Sequence, residues 1–252
     1  MRRFIVTLDG PAGSGKSTVA RQLARRLGLD FLDTGAMYRG ITAKAIDRGI
    51  DPQQEAYAVV ELARHAEIAF DWDTDPPTLR INGIDVTPRL RDRDVVASVS
   101  DVAAMPAVRD VLVKAQRLIG QDHPGLVTEG RDQGSVVFPR AEAKFYLDAS
   151  PQVRAERRAA QLREMGKPVD LTALRESIIL RDRKDATRQS GPLICPEDAQ
   201  TIDTSDMQLP DVVALLEQKV RTLMDRPGVA SPTAAAAPLG VERDTPGPGG
   251  GA

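Results

Sequence analysis

One octapeptide constrains this chain more than any other feature. Gly10-Pro11-Ala12-Gly13-Ser14-Gly15-Lys16-Ser17 fits the pattern G-x-x-x-x-G-K-S/T. The short β-rich run Phe4 to Leu8 precedes it, and Val19, Ala20, Leu23, Ala24 and Leu27 follow at helical spacing up to Gly28. Strand, glycine loop and helix in that order build a phosphate-binding turn, because backbone N–H groups and the positive end of the helix converge. The N–H groups cradle the phosphates and Lys16 reaches the β- and γ-phosphates. The Ser17 hydroxyl ligates Mg2+, and Thr18 adds contacts at the α-phosphate. The motif predicts triphosphate binding and is silent about the reaction.

The rest of the chain alternates strand and helix patterns. Phe31-Leu32, Leu126 to Thr128, Lys144 to Leu147 and Thr201-Ile202 read as short strands, and Val212 to Leu223 as a closing helix. Such alternation predicts an α/β fold, a three-layer P-loop core whose parallel sheet is covered on both faces. Between about residues 66 and 120 the rhythm breaks. Phe70, Trp72, Leu79, Ile81 and the turn Asn82-Gly83 predict an inserted antiparallel hairpin, running into a helical stretch from about Arg93 to Ile119. Residues 1–226 are expected to form the folded unit. From Pro227 to Ala252, five prolines and six glycines with few aliphatic side chains predict a disordered tail.

Composition narrows the function classes. Thirty-four basic against thirty-six acidic residues leave a net charge of −2, which disfavours a general nucleic-acid or membrane surface. No run approaches the ~18 apolar residues of a membrane helix, and no targeting segment is legible, so a cytoplasmic location is expected. The single cysteine, Cys195, excludes an internal disulfide and a multi-cysteine metal site.

Triphosphate binding serves a small-molecule kinase, a nucleotide switch or a remodelling ATPase. A kinase needs a second anion site facing the γ-phosphate, and positive charge to screen the transfer. Asp33 to Arg39 follow the second strand at its C-terminal end, where ligands of open α/β sheets bind. Leu126 to Thr128 run into Glu129, placed to hold Mg2+ or its waters, and then into Gly130-Arg131-Asp132, where Arg131 offers a two-pronged phosphate donor. Arg154, Arg157, Arg158 and Arg163 lie along one predicted helix, and Arg181, Arg183, Lys184 and Arg188 lie in a later segment. Together they suit a lid, over about residues 150 to 190, that closes on phosphates. The guanine-selecting N-K-x-D of a switch is absent.

These stretches resemble the bacterial cytidylate kinases, nucleoside monophosphate kinases of the P-loop class. The likeness rests on Leu8 to Thr18, Leu32 to Arg39, Glu129 to Pro139, Phe145 to Ser150, and Arg181 to Asp185 with Arg188 and Pro192-Leu193. It implies a mobile helical lid, a family-specific β-containing insert in the monophosphate-binding region, and a monomer. Carried over residue by residue, it implies that Thr34, Ser100, Arg109 and Asp132 line a pyrimidine site. Arg39, Arg131 and Arg188 would serve the acceptor phosphate, Arg181 and Asp185 its sugar, and Arg157 and Arg158 would sit over ATP. The catalytic set then comprises Lys16, Arg131, Asp132, Arg157, Arg158 and Arg188. Lys184 and Ala186 depart from the family pattern, in which arginine and a small hydroxyl residue are common.

The chemistry of cytosine fits the same residues. Its N4 amino group donates to a carboxylate such as Asp132, while N3 and O2 accept from Arg109 or the hydroxyls of Thr34 and Ser100. Uracil reverses two of these polarities and would leave buried groups unpaired. The expected reaction converts ATP and CMP or dCMP to ADP and CDP or dCDP with Mg2+, with small-molecule substrates and neither nucleic acid nor membrane as partner. The alternatives are a kinase of UMP, AMP or a small acid such as shikimate, and a non-enzymatic nucleotide-dependent regulatory module.

Overall fold

The computed structural model describes residues 3–226, so the proline- and glycine-rich stretch expected to be disordered lies outside the described residues. The first half runs β1 (Phe4–Asp9), α1 (Lys16–Leu27), β2 (Asp30–Asp33), α2 (Thr34–Asp47), α3 (Ala56–Arg64), β3 (Ile68–Asp71), β4 (Thr78–Ile81) and β5 (Ile84–Asp85). The second half runs α4 (Arg93–Ala104), α5 (Pro106–Asp122), β6 (Gly125–Glu129), β7 (Ala143–Asp148), α6 (Pro151–Glu164), α7 (Leu171–Thr187), β8 (Gln200–Asp203) and α8 (Leu209–Met224).

Five strands form one parallel sheet in the order β2-β6-β1-β7-β8. β1 lies at its centre and every residue of it is buried, as expected of a strand covered on both faces. Its alternation separates two cores. Phe4, Val6 and Leu8 pack with Val19, Leu23 and Leu27 of α1 and with Val212, Leu216 and Val220 of α8. Ile5 packs on the opposite side with Met37 and Ile41 of α2 and Leu112 of α5. Each such side chain contributes ~1.5–3 kcal/mol of burial, so the layered order follows from the strand's period of two.

The hairpin strands β3, β4 and β5 form a separate antiparallel sheet, with Asn82 and Gly83 in left-handed conformation at its turn. Leu79 and Ile81 join the core on the α2 side, which anchors the hairpin to that face of the sheet. The helical stretch from Arg93 divides at Met105, which is extended, with Pro106 in the first turn of α5. Proline lacks the N–H that a continuous helix would need and pushes its predecessor out of helical geometry. The C-terminal ends of β1, β2, β6 and β7 carry Asp9, Asp33, Glu129 and Asp148, so acidic side chains rim the edge from which the glycine loop departs.

Candidate active site

The phosphate loop crosses the C-terminal edge of the sheet at close quarters. Gly10 has φ 145°, and a Cβ there would stand 2.0 Å from the Leu147 carbonyl oxygen, so only glycine fits. Gly15 caps α1 in left-handed conformation without a side-chain hydrogen bond, which leaves the first N–H groups of the helix open. Lys16 is buried and donates from Nζ to the Pro11 carbonyl at 2.9 Å. Burial, helped by the nearby Arg131, pulls its ammonium group down to about 7. The buried Ser14 hydroxyl has no partner among the described residues. Ser17 donates to Glu129 Oε1 at 2.6 Å.

Glu129 pairs in register with Leu8 on one side and Asp33 on the other. Burial and the Asp33 charge push its carboxyl up. Burial acts on Asp33 as well, but Arg39 at 2.7 Å and the Ala36 N–H at 2.8 Å outweigh it and hold that carboxyl down. Among the described residues no group of three or more His, Cys, Asp or Glu is arranged to hold a metal ion. A cation here would have to arrive with phosphate oxygens and water, and a serine hydroxyl beside one carboxylate is the donor set that Mg2+ accepts in that setting.

The acceptor residues gather beside this loop. Arg109 and Asp132 form a buried ion pair, with the Arg109 guanidinium 5.5 Å from the Tyr38 ring centroid. Arg188 Nη2 stands 3.8 Å from Asp132 Oδ1, and its Nε donates to the Gly191 carbonyl. Burial pushes the Asp132 carboxyl up, and Arg109, Arg188 and Arg131 oppose that rise. Arg131 Nε donates to Asp185 at 2.9 Å, which ties the turn after β6 to α7. Thr34 donates to the Glu129 carbonyl at 2.7 Å and takes a weaker bond from Gln133 at 3.3 Å. Ser100 lies half-buried on α4, three residues before Ala103, whose carbonyl receives Arg109 at 3.4 Å. Buried Nε atoms of Arg39 and Arg181 are without partners among the described residues. Burial, then Arg131, pulls Arg181 down to about 10.

Helices α6 and α7, expected to form a lid, distribute their arginines unevenly. Arg154 shared a predicted face with Arg157 and Arg158, but the fold turns it inward. It donates to the carbonyls of Ala149 at 2.8 Å and Ala12 at 2.9 Å and to Asp182 at 2.6 Å. Arg157 donates to the Thr204 hydroxyl at 3.0 Å and to the carbonyls of Thr204 and Met207, beyond β8. Arg158 donates to Gln161 at 3.2 Å. A place over ATP for Arg157 therefore requires it to exchange these carbonyls for phosphate. Lys184 reaches Asp101 at 3.2 Å, an ion pair between α7 and α4.

A protein-family model described as cytidylate kinase matches residues 6–222. The chain belongs to the cytidylate kinase family. It is 42% identical over 216 residues to a cytidylate kinase of Shewanella baltica OS155, covering 85% of this chain and 93% of that one. It is 47% identical over 222 residues to a bifunctional pantoate ligase/cytidylate kinase of Synechococcus sp. WH7803, covering 87% of this chain and 45% of the relative. The chain thus spans about half the length of the bifunctional relatives it matches. A solved structure of an uncharacterized protein from Eubacterium ventriosum superposes over 87% of this chain and 99% of that one, at TM-score 0.50 and 10% identity, a likeness of fold alone.

Membership of the cytidylate kinase family leaves some neighbours of the site unexplained by the motif reading. Asp9, Gln133, Arg154 and Asp182 hold the site residues in place, and sequence reasoning did not single out the first, second or fourth. Asp9 and Asp182 stand inside motifs that were read, but a lone carboxylate carries no mark of the N–H group it will meet in the fold.

Proposed function

We propose that this protein transfers the γ-phosphoryl group of ATP to CMP or dCMP, giving ADP and CDP or dCDP. The observation that carries this reading is the set of cations at the join of the two half-sites. Arg131 and Arg181 add to burial in pulling Lys16 down, and Arg131 does the same to Arg181. Glu129, Asp9 and Asp185 offset part of that charge, but the buried Nε atoms of Arg39 and Arg181 have no partner among the described residues, and nucleotide phosphate groups would supply one. Membership of the cytidylate kinase family and the carboxylate of Asp132 support a cytosine base on the acceptor side.

One oxygen of the acceptor phosphate attacks the γ-phosphorus in line, and the bond to the bridging oxygen of ADP breaks. No proton need move, because the acceptor phosphate is already anionic at neutral pH. Lys16 and the loop N–H groups hold the β- and γ-phosphates, while Arg39, Arg131 and Arg188 orient the acceptor phosphate. Arg181 and Asp185 serve the sugar, and Thr34, Ser100, Arg109 and Asp132 read the base. Mg2+, when bound with the triphosphate beside Ser17 and Glu129, neutralises charge that develops on the phosphate oxygens. Arg157 and Arg158 are assigned to the ATP side of the closed lid. Action as a monomer, as the resemblance implies, belongs to the same proposal.

Incubation with Mg-ATP and each nucleoside monophosphate, with shikimate as a further acceptor, tests the reading. ADP release is expected to be fastest with CMP or dCMP. A stronger response to UMP, AMP or shikimate overturns the base assignment, and tight ATP binding without any acceptor-stimulated turnover overturns the reaction.

A further inference from the structure

Asp9 ends β1, and its backbone leads directly into Gly10 of the phosphate loop. Its side chain points to the acceptor half. Ile5, Thr7 and Asp9 share one face of the strand. At the end of that face the Asp9 carboxylate accepts the Gln133 N–H on Oδ1 at 2.8 Å and the Gly134 N–H on Oδ2 at 2.7 Å. These are the first two N–H groups after Asp132, at the open end of the helical turn Gln133–Val137. Glycine at 134 eases the approach: a Cβ there would stand 2.9 Å from Thr7 Oγ1 and 3.2 Å from Lys144 Cδ, beside the Asp9 carboxylate. The Gly130 N–H donates to the Leu8 carbonyl at 3.1 Å. The segment 130–134, which carries Arg131 and Asp132, is therefore clipped at both ends to two consecutive residues of β1.

We infer that Asp9 is a positioning residue that holds Arg131 and Asp132 in register with the phosphate loop, so that donor and acceptor half-sites stand as one piece. The inference rests on the proposed nucleotide transfer for its kinetic consequences and on the clip itself for its geometry.

Stability is not what an ionised Asp9 supplies. The group is 1% exposed, and burial pushes its carboxyl up to about 6, with Asp132 adding to the rise and Gly134, Gln133 and Lys16 opposing it. A carboxyl raised in the folded state binds its proton more tightly folded than unfolded. It therefore favours folding at low pH, and that contribution is lost as pH rises through about 6. Above that pH the carboxylate costs stability while it holds two N–H groups in place.

Asp9→Asn keeps the side-chain volume but has one acceptor oxygen and turns a donor toward the same two N–H groups. Hydrogen exchange at the Gln133 and Gly134 amides is expected to accelerate about tenfold or more. With Mg-ATP saturating, KM for CMP rises and kcat falls, each by about tenfold, while ATP affinity in a direct titration changes less than about twofold. Gly134→Ala crowds Thr7 Oγ1 and Lys144 Cδ beside the same contact while keeping the Asp9 carboxylate, and should reproduce this split. The unsubstituted protein gives a reading that needs no folded variant: protection of the two amides drops as pH falls through about 6. Equal weakening of ATP and CMP together with a lower Tm would mark Asp9 as merely structural and overturn the inference, as would amide protection indifferent both to Asp9→Asn and to pH. Exchange requires no substrate, so a protein that left CMP untouched would refute the transfer reading without deciding the fate of the clip.

Discussion

The carboxylate of Asp182, on helix α7, accepts a hydrogen bond at 3.3 Å from the backbone N–H of Ala12, inside the glycine loop. The same carboxylate takes Arg154 at 2.6 Å, and Arg154 returns to the Ala12 carbonyl at 2.9 Å. Helix α7 and the loop are thereby joined through both backbone groups of a single residue, Ala12. On the proposed function, movement of α7 would be felt at the loop assigned to the triphosphate, which is the coupling a closing lid requires.

Asp182→Ala removes both bonds and leaves the buried Arg154 side chain without its counter-ion. An uncompensated buried charge of this kind costs ~3 kcal/mol, and loss of loop alignment is expected to lower kcat/KM for ATP by about 10- to 100-fold. Thermal unfolding and steady-state kinetics check the two effects separately. Unchanged ATP kinetics beside a lowered Tm would confine the pair to a structural role.

Asp132→Ala should weaken selection for CMP over UMP far more than it weakens ATP binding. The pair with Arg109 is buried, so its removal alters the base site directly, and about a 100-fold loss in kcat/KM for CMP is expected. Competition assays with both acceptors measure the ratio. Equal losses for every acceptor would show that Asp132 only supports the fold.

Binding of Mg-ATP should take up a proton above neutral pH. Burial and Arg131 pull Lys16 down to about 7 in the free protein, and bound phosphates favour its charged form. Below about 7 the ammonium is already present and little uptake occurs; above it, uptake approaches one proton and affinity falls by up to about tenfold per pH unit. Titration calorimetry at pH 8, in two buffers of different ionisation heat, reads this directly. Lys16→Met should abolish the uptake.

Glu129→Gln should lower kcat by about 10- to 100-fold and raise the Mg2+ concentration needed for half-maximal rate. ATP binding measured in excess chelator should change little, because Glu129 meets the loop through Ser17 rather than through phosphate. A variant with normal Mg2+ dependence would remove Glu129 from the cation's surroundings.

Much of the architecture was legible because its causes are local. Strand periods of two, helical spacing and the turn Asn82-Gly83 located the central sheet, the flanking helices and the hairpin. The break at Met105 is encoded too, in Pro106, inside the helical stretch expected from about Arg93 to Ile119. The arginines of α6 were harder. Arg154, Arg157 and Arg158 fall within one helical turn and a half, and spacing alone gives them a common surface. In the fold, Arg154 packs under the phosphate loop, Arg157 turns to Thr204, and Arg158 remains beside Gln161.

By itself the sequence determined the phosphate loop, the α/β layering and the membership of the cytidylate kinase family. Each depends on backbone angles, side-chain periods and motifs contained in a few consecutive residues. Only the tertiary structure decided which carboxylate serves which N–H group. Asp9 meets Gln133 across 124 positions, and Asp182 meets Ala12 across 170. Those partners are chosen by how the sheet and helices pack, because a buried donor or acceptor must be satisfied by whichever group the packing brings within reach.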